Sequence, residues 1–477
     1  VSRSVKMDPE HLQSWLDAAD PRRIPADLMK KYAVRGPRYT SYPTAPHFGP
    51  VDLDRLYRRC GERNDLDPDP GRSIYSHSPF CRTLCRFCGC HTHVRKDPAR
   101  ATPYVDDLAS EMHFVAKVVR TDRPVRQVAL GGGTPNFLFV EDMDRLLRTL
   151  RTIYSVHPDA ELSAEIDPRT VTTRMLDLLV AHGFNRISLG VQDFDSGVLT
   201  NIRRPQDGLM VETVVTHLRD AGCEEINFDL VYGLPGQDER TARAMAEATV
   251  RFSPTRIALY NYAHVPWMKP HQKALSKLGL PGPELKARIQ GIVAQTLIED
   301  GYLPVGMDHF ARPDDRLARA LMEGTLTRNF MGYTTGRGLD LLAFGASSIS
   351  AVGSTYAQDH RTLRPWREAV REGRSAVMRG FLLDPEDELR RELILDLFCN
   401  FTVDLEGLGD GRGMDAASVV ADDLERLAPL VEDGLVVLDG SEIRVTAAGR
   451  PFIRNVCMTF DRYLETDPAQ RRYSRTL

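Results

Sequence analysis

From residue 73 onward, short apolar segments alternate with amphipathic segments along the chain. Their period and composition predict β-strands at 73–77, 127–130, 161–165, 186–191, 225–230 and 256–262. Between the first two strands, Thr102 and Pro103 predict the N-cap and the first residue of a helix. Apolar side chains then recur at three- and four-residue steps, as in a core-facing stripe: Tyr104, Leu108, Met112, Val115 and Val119. Strands with intervening helices predict a parallel α/β unit.

After residue 383 the pattern changes to that of a mostly helical domain. Asp384 and Pro385 predict a helix start, and three leucines share one helix face: Leu389, Leu393 and Leu397. A second helix is predicted by Leu424, Leu427 and Val431. A β-hairpin is predicted from 435–438 and 443–445 around the turn at 439–440. Two helices and a hairpin are typical of a winged helix. Residues 384–477 nevertheless carry 11 Arg and Lys against 20 Asp and Glu, which excludes a basic DNA-binding face.

The remaining regions have less regular patterns. Residues 36–44 begin and end near prolines, so they predict an extended arm, in which Arg38 offers a fork to a carboxylate. Residues 300–383 are aromatic, polar and loop-like in character, which suits a segment closing over a barrel mouth. We therefore predict four segments: an N-terminal arm with helices (1–70), a central α/β core (71–300), a closing segment (301–383) and the C-terminal domain (384–477).

Composition excludes several classes of function. The 477 residues are 42% hydrophobic and 27% charged with a formal net charge of −4, which favours a globular protein without general affinity for polyanions. No apolar run approaches about 18 residues and no secretory signal is visible, so we expect neither a membrane span nor export. With eight cysteines, the chain fits a reducing cytoplasm. Four of them are scattered and predict small buried side chains: Cys60, Cys223, Cys399 and Cys457.

The other four cysteines crowd into the segment 75–93, which reads YSHSPFCRTLCRFCGCHTH. Cys81, Cys85, Cys88 and Cys90 lie too close together for unstrained disulfides, so they predict ligands to iron–sulfur or zinc. A closed zinc site joins two separated ligand pairs, and a second cysteine pair is missing here. Three thiolates on a four-iron cubane would leave one iron open to a substrate or cofactor. A zinc knuckle that uses Cys90 with His91 or His93 is the alternative, and otherwise the two histidines receive no role.

The spacing Cys-x3-Cys-x2-Cys just past a strand resembles the radical S-adenosylmethionine superfamily. The wider chain resembles one of its families, the oxygen-independent coproporphyrinogen III oxidases (coproporphyrinogen dehydrogenases). The matching segments run in order over nearly the whole chain: GPRYTSYPT (36–44), CRTLCRFCGC (81–90), GGGTPNFL (131–138), EIDPR (165–169), GVQDFD (190–195), DLVYGLPGQ (229–237), NYAHVP (261–266), GMDHFARPDD (306–315), RNFMGYTT (328–335) and YSRTL (473–477). Two departures are SHSPFC, where the family has a His-Ile-Pro-Phe-Cys run, and a tail led by Tyr rather than Phe.

This resemblance implies an open, six-stranded partial TIM barrel with its chemistry at the C-terminal ends of the strands. It implies a 4Fe–4S cluster on Cys81, Cys85 and Cys88, whose open iron is chelated by S-adenosylmethionine, with a second S-adenosylmethionine left open. It also implies the S-adenosylmethionine contacts, which are Tyr75, Gly132, Gly133, Thr134, Glu165, Gln192, Arg204, Asp229, Ala263 and Ile349. Cys90 is the extra thiol typical of the coproporphyrinogen enzymes and is a candidate catalytic residue.

The implied activity is the anaerobic oxidative decarboxylation of two propionates of coproporphyrinogen III to vinyl groups, giving protoporphyrinogen IX. Because the substrate carries four carboxylates, we predict that arginines bind it: Arg38, Arg312 and Arg328. We further expect a monomer in the cytoplasm that takes electrons from a carrier such as flavodoxin or ferredoxin and binds no nucleic acid. The rival interpretations are a haem-binding or haem-delivery paralogue without decarboxylase activity and a simple metal-binding protein.

Overall fold

The computed structural model describes residues 25–65, 70–464 and 473–476. Parts of the predicted N-terminal segment (1–24 and 66–69) and of the predicted C-terminal domain (465–472 and 477) lie outside the described residues. The chain forms two compact units. The cysteine-loop unit comprises the described residues of Phe48–Asp229 and Gly338–Leu382, and the terminal unit comprises the described residues of Val1–His47, Leu230–Arg337 and Leu383–Leu477. The division into four segments stays a prediction.

The described residues form mixed α/β structure throughout. The strands are β1 (Arg72–Ser78), β2 (Phe80–Cys81), β3 (His93–Val94), β4 (Val125–Gly132), β5 (Val156–Ile166), β6 (Arg186–Gln192), β7 (Glu225–Tyr232), β8 (Arg256–Asn261), β9 (Leu303–Val305), β10 (His309–Ala311), β11 (Thr327–Asn329), β12 (Gly332–Thr334), β13 (Asp340–Phe344), β14 (Ile349–Val352), β15 (Thr355–Asp359), β16 (Val377–Leu382), β17 (Thr402–Asp404), β18 (Val436–Asp439) and β19 (Glu442–Val445). The α-helices are α1 (Ala26–Tyr32), α2 (Leu53–Glu62), α3 (Thr102–Val115), α4 (Val140–Ile153), α5 (Thr173–Ala181), α6 (Ser196–Asn201), α7 (Gly208–Asp220), α8 (Glu239–Phe252), α9 (Lys273–Ser276), α10 (Pro283–Glu299), α11 (Arg316–Met322), α12 (Leu363–Arg371), α13 (Pro385–Asn400), α14 (Leu405–Asp410), α15 (Ala416–Val419), α16 (Ala421–Arg426), α17 (Ala428–Glu432) and α18 (Ile453–Thr459).

The cysteine-loop unit is built on a parallel sheet in which β1, β4, β5 and β6 are successive neighbours. Each of the six predicted strands is present, because runs of buried Val, Ile and Leu alternate with helices that cover the sheet. The sheet extends beyond them on the β1 side, where β13 pairs parallel to β1. Beyond β13 it continues antiparallel through β14, β15 and β16.

Residues 300–383 are more regular than predicted. The expectation of loop-like structure is wrong, because this region contains the strands β9–β16 and the helices α11 and α12. These strands are only 3–6 residues long and are separated by turns, so their alternation is too short to stand out in the sequence.

Helix α3 begins one residue differently from the prediction. Ala101, not Thr102, is the N-cap, and Thr102 is the first helical residue. The Thr102 hydroxyl donates instead to the Asp142 carboxylate at 2.6 Å, which ties α3 to α4. The predicted apolar stripe is confirmed at Tyr104, Leu108 and Met112, each at most 1% exposed.

The terminal unit confirms the predicted first helix and the hairpin of the C-terminal domain, whereas the second predicted helix is two short helices, α16 and α17, separated at Leu427. Helix α13 starts at a capping box between Asp384 and Asp387, and its three predicted leucines are fully buried. Strands β18 and β19 form the predicted hairpin, and β17 adds a third strand beside β19. Residues 36–44 contain no helix, and the buried Tyr39 donates a hydrogen bond from its hydroxyl to Asp461 at 3.0 Å. Among the described residues, no helix combines the length and apolar character that a membrane crossing requires.

Candidate active site

The cysteine loop leaves the carboxyl end of β1 and is closed by its own backbone. Strand β2 pairs with β3, and the Arg95 amide donates to the Cys81 carbonyl at 2.9 Å. Inside the loop, the Cys88 amide donates to the Cys85 carbonyl at 3.2 Å. Cys85 is buried, Cys81 and Cys88 are half-buried and Cys90 is exposed. Hydrogen bonding to Cys88 raises the pKa of Cys90 well above its usual range. The loop thus holds its three predicted ligands on one short, backbone-bonded segment.

Two arginines donate to the Cys85 sulfur, and a threonine hydroxyl lies beside the Cys81 sulfur. The Cys85 Sγ accepts from Arg204 Nη1 at 3.7 Å and from Arg169 Nη2 at 3.8 Å. The Cys81 Sγ lies 3.4 Å from Thr134 Oγ1. Arginine donors of this kind tune the potential of an iron–sulfur cluster.

Asp167 orients the two arginines that reach Cys85. It accepts two hydrogen bonds from Arg169, at 2.6 and 2.9 Å, and one from Arg204 at 3.4 Å. Burial tends to raise the pKa of Asp167, but the hydrogen bonds from Arg169 and the charge of Arg204 outweigh it and hold that pKa below its usual value. Sequence reasoning missed Asp167 and Arg169, although the quoted EIDPR segment, which follows the third predicted strand, contains both.

The glycine run after β4 permits the close approach of two loops. Gly132 has φ +115°, and a Cβ there would lie 2.7 Å from the His77 ring. A Cβ on Gly133 would lie 2.8 Å from the Phe80 carbonyl oxygen. The Gly133 amide donates to the Ser78 carbonyl at 2.7 Å. Only glycine lets this backbone lie directly against the start of the cysteine loop.

Two carboxyl groups come together at the ends of β5 and β7. The Glu165 carboxylate accepts the Gly132 amide at 3.1 Å, and Asp229 accepts from Ser188 at 2.9 Å and from Asn227 at 3.0 Å. Glu165 is reachable by solvent but is enclosed by surrounding protein, so it lies in a recess. This desolvation, together with the charge of Asp229, raises the pKa of Glu165 to about 7. A cationic ligand would stabilise both carboxylates in their ionised forms.

The other predicted S-adenosylmethionine contacts divide between the units. The Tyr75 hydroxyl lies 3.1 Å from His77 Nδ1, and Gln192 ends β6 in a left-handed conformation with φ +69°. Ile349 begins β14 after the carboxyl end of β13, which is the same edge of the sheet as the end of β1 because β13 and β1 are parallel. Ala263 is exposed and belongs to the terminal unit. The structure therefore gathers all the predicted contacts except Ala263 within the cysteine-loop unit.

Arg328 lies buried in the terminal unit with incomplete hydrogen bonding. Its guanidinium packs over the rings of Tyr333 and Phe398, 4.5 and 5.4 Å from their centroids. Within the described residues, its Nε and Nη1 atoms have no hydrogen-bond partner. The nearby Asp308 also lies 3.8 Å from the Arg38 guanidinium. One carboxylate therefore faces two guanidinium groups.

Arg312 has different partners from Arg38 and Arg328. Its guanidinium donates to the carbonyl and the carboxylate of Asp300 at 2.6 and 2.8 Å and to Ser253 at 3.0 Å. It also stacks over the Tyr302 ring at 3.8 Å. The donors of Arg312 are thus already engaged, in contrast to those of Arg328.

Sequence reasoning missed two further buried arginines of the terminal unit. Arg454 donates to the carbonyls of Gly36 and Pro37, and burial, with the charge of Arg38, lowers its pKa to about 9. Arg450 donates to the Gly306 carbonyl at 2.8 Å, and burial lowers its pKa to about 10. A signal was present in their spacing of four residues within an otherwise apolar segment.

The donor set suits an iron–sulfur cluster better than a single metal ion. Across the described ranges, no group of three or more His, Cys, Asp or Glu side chains is placed to share one ion. In a cubane each cysteine binds a different iron, so the ligands need not converge on one point. Three cysteines on a single loop, with arginine donors at Cys85 and a glycine cradle beside them, fit this cluster and leave one iron open.

Fold and site together define a radical S-adenosylmethionine protein, and residues 75–248 match the radical SAM superfamily. Residues 383–452 match the HemN C-terminal domain. The oxygen-independent coproporphyrinogen III oxidase of Escherichia coli strain K12 is 40% identical over 450 residues, which are 94% of this chain and 98% of that protein. The enzyme of the same name from Synechocystis is 39% identical over 460 residues, or 95% and 98% of the two chains. The solved structure of coproporphyrinogen III oxidase (HemN) from Escherichia coli, described as a radical SAM enzyme, matches with a TM-score of 0.86 at 40% identity, covering 92% of this chain and all of that one.

The chain belongs to the oxygen-independent coproporphyrinogen III oxidase family. This confirms the resemblance and the fold class: an α/β radical SAM core with a partial barrel-like sheet and a helical C-terminal domain.

Proposed function

We propose that this chain catalyses the oxidative decarboxylation of two propionate side chains of coproporphyrinogen III to vinyl groups, giving protoporphyrinogen IX for haem biosynthesis. The supporting observation is 40% identity along 98% of a relative with that named activity, with the three cluster cysteines at the carboxyl end of β1. Besides the four cysteines of the loop, the chain has four buried cysteines, and no disulfide joins any of the eight, which supports a reducing, cytoplasmic setting.

The cluster would be held by Cys81, Cys85 and Cys88, with S-adenosylmethionine on its open iron. When bound, this pair would supply a 5′-deoxyadenosyl radical that abstracts hydrogen from the β-carbon of a propionate, and the substrate radical would then lose CO2 and pass one electron to a separate electron acceptor, leaving a vinyl group. Glu165, ionised, would accept the ammonium group of the methionine moiety. The backbone of the glycine run would lie along the same moiety, and Arg204 and Arg169 would orient the Cys85 sulfur. Cys90 stays a candidate catalytic residue beside the cluster loop.

Arg328 and Arg38 supply the charge for a substrate carboxylate. A buried guanidinium with unsatisfied N–H groups is costly unless an anion completes its hydrogen bonds, and a propionate carboxylate offers two acceptor oxygens. Asp308 alone does not balance the two arginines. Arg312 stays a weaker candidate because Asp300 already binds it. Monomeric state, and electron supply by flavodoxin or ferredoxin, also stay predictions.

An anaerobic assay tests the proposal. The reconstituted chain would receive coproporphyrinogen III, dithionite, S-adenosylmethionine and an added electron acceptor, with Cys81→Ser as the control. We expect vinyl product from the wild-type chain and none from the variant. Tight stoichiometric haem binding without vinyl product would favour the haem-delivery paralogue. A colourless, zinc-loaded preparation purified without oxygen would instead indicate a simple metal-binding protein.

A further inference from the structure

A strongly basic surface lies beside the cysteine loop. Residues 81–100 contain five Arg and Lys side chains and a single acid, in a chain whose net charge is −4. We define the basic surface as five exposed side chains, which are Arg82, Arg95, Lys96, Arg100 and Arg203. This local sign is opposite to that of the whole protein, so the surface creates a positive potential where the rest of the molecule is negative.

The charges of the basic surface lack carboxylate partners. In the part of the chain that the structure describes, none of the five side chains forms an ion pair. Some exposed arginines elsewhere in the cysteine-loop unit are paired, for example Arg148 with Asp144 at 2.7 Å and Arg364 with Glu368 at 2.8 Å. The basic surface is therefore available to an acidic partner at no cost in broken internal ion pairs.

Short backbone connections tie this surface to the cluster ligands. The Arg95 amide donates to the Cys81 carbonyl at 2.9 Å. The Arg86 amide donates to the Ile202 carbonyl at 2.9 Å, which brings Arg203 beside the loop that carries the cysteines. A partner bound to this surface would therefore contact the segments that carry the cluster ligands Cys81 and Cys85. Val94, the last residue of β3, is 39% exposed and adds an apolar contact of the kind found in interface centres.

We propose that the basic surface is the docking site for a small acidic one-electron carrier protein that reduces the cluster. The proposal rests on the proposed function, which requires a reduced cluster. In the transfer the carrier loses one electron and the cluster gains one, while no bond forms and no proton moves. Five exposed positive charges and one exposed valine suit the small, polar interfaces of transient redox complexes. The local positive potential speeds encounter with an acidic protein, whereas the net negative charge elsewhere disfavours other orientations.

Binding of the carrier tests the proposal without catalysis. Purified oxidised flavodoxin of strongly negative net charge would be titrated calorimetrically into the wild-type chain and into R95E/K96E/R100E. The matched control is R55E/R58E/K117E, three exposed basic residues of the same unit, two of them on α2. We expect the first variant to raise Kd about tenfold or more and the control to leave it within about twofold. Wild-type binding should weaken steeply as sodium chloride is raised.

Two activity measurements separate this proposal from the proposed function. With dithionite as reductant, R95E/K96E/R100E should cleave S-adenosylmethionine at the wild-type rate. With reduced flavodoxin, its rate should fall about tenfold or more at limiting carrier. Equal flavodoxin binding by the variant and the wild type, equal loss in the control, or no measurable wild-type binding at low salt would overturn the docking site. If the wild-type chain formed no vinyl product with dithionite as reductant, the proposed function itself would be contradicted.

Discussion

The cysteine-loop unit encloses an acidic group that a cation would stabilise, and the terminal unit buries basic groups that an anion would stabilise. In the first, desolvation and the neighbouring Asp229 raise the pKa of Glu165 to about 7, so a carboxylate is held short of a cation. In the second, burial lowers the pKa of Arg450 to about 10 and, with Arg38, that of Arg454 to about 9, so guanidinium groups are held short of an anion. The two reactants carry the complementary charges. S-adenosylmethionine has a sulfonium and an ammonium group, which suit the carboxyl groups of the cysteine-loop unit, and coproporphyrinogen III has four carboxylates, which suit the arginines of the terminal unit.

The largest expected effect comes from replacing one sulfur atom of the cysteine-loop unit, which should abolish the cluster but not substrate binding by the terminal unit. Cys85→Ser should reduce iron per chain and decarboxylation to background, because the cluster loses a ligand and the two arginines lose their acceptor. Binding of coproporphyrinogen III should stay within about twofold of wild type, since the arginines of the terminal unit are unchanged. Iron analysis, product assay and substrate titration check this. The control is Cys60→Ser, a buried thiol that bonds Thr355. Full iron content in Cys85→Ser would refute the assignment of that ligand.

Arg328→Gln should cause the next largest effect, now in the terminal unit. Loss of a buried guanidinium that completes its hydrogen bonds on substrate should raise the substrate Kd about 30-fold or more while S-adenosylmethionine cleavage persists. Arg312→Gln is the matched comparison and should change Kd by no more than about threefold, because Asp300 already occupies that guanidinium. Thermal melting would verify that both variants fold. Equal effects of the two substitutions would remove the distinction between them.

The pH dependence of S-adenosylmethionine binding should identify Glu165. Its pKa of about 7 lies above the usual carboxyl value, so the group is neutral at lower pH and binds the ammonium group less well. Affinity should therefore fall about tenfold per pH unit below 7 and level off above it. Isothermal titration of wild type and Glu165→Gln across this range measures the effect. The variant should bind weakly with a flat profile, and an unchanged slope in it would exclude Glu165 as the titrating group.

The smallest expected effect concerns a second acidic pair of the cysteine-loop unit. Glu111 accepts from Trp366 at 2.8 Å and from the Gly345 amide at 2.7 Å, and it faces Asp359, which accepts from Ser348. Burial raises the pKa of Glu111 to about 7 and that of Asp359 well above its usual value. The folded state therefore binds more protons than the unfolded chain, and stability declines as pH rises through about 7.

Asp359→Asn should remove much of that decline. An Asn amide can donate to Glu111 without a shared proton and can still accept from Ser348. We expect the variant to be more stable than wild type by about 2 kcal/mol above pH 8 and close to it near pH 3, below the unfolded-state pKa of both carboxyl groups. Urea unfolding at the two pH values measures the difference. If the variant were less stable than wild type at both pH values, Glu111 and Asp359 would not share a proton in the folded protein.

Local patterns predicted most of the sheet but not its extension. The predicted strand 161–165 covers only the second half of β5, which runs from Val156 to Ile166. The first half was missed because its residues VHPDA show no alternation of apolar and polar side chains. Strand β13 consists entirely of buried residues, yet its partner β1 lies far away in the sequence. No local pattern encodes such a pairing, and the antiparallel strands that follow are too short to show a period.

The same distinction applies to the site. The cysteine ligands and the glycine run could be predicted from the sequence because the residues of each motif are neighbours along the chain. Asp167 acts by orienting Arg169 and Arg204, and Arg454 acts through carbonyls of Gly36 and Pro37 more than 400 positions away along the chain. Such roles depend on packing, which the sequence does not display residue by residue.

The most direct test of three-cysteine ligation is an electron paramagnetic resonance spectrum of the reduced, reconstituted chain with and without S-adenosylmethionine. We predict four irons per chain and a spectrum that changes when S-adenosylmethionine is added, in wild type and in Cys90→Ser alike. A spectrum indifferent to S-adenosylmethionine, or loss of the cluster in Cys90→Ser, would contradict an open iron held beside Cys81, Cys85 and Cys88.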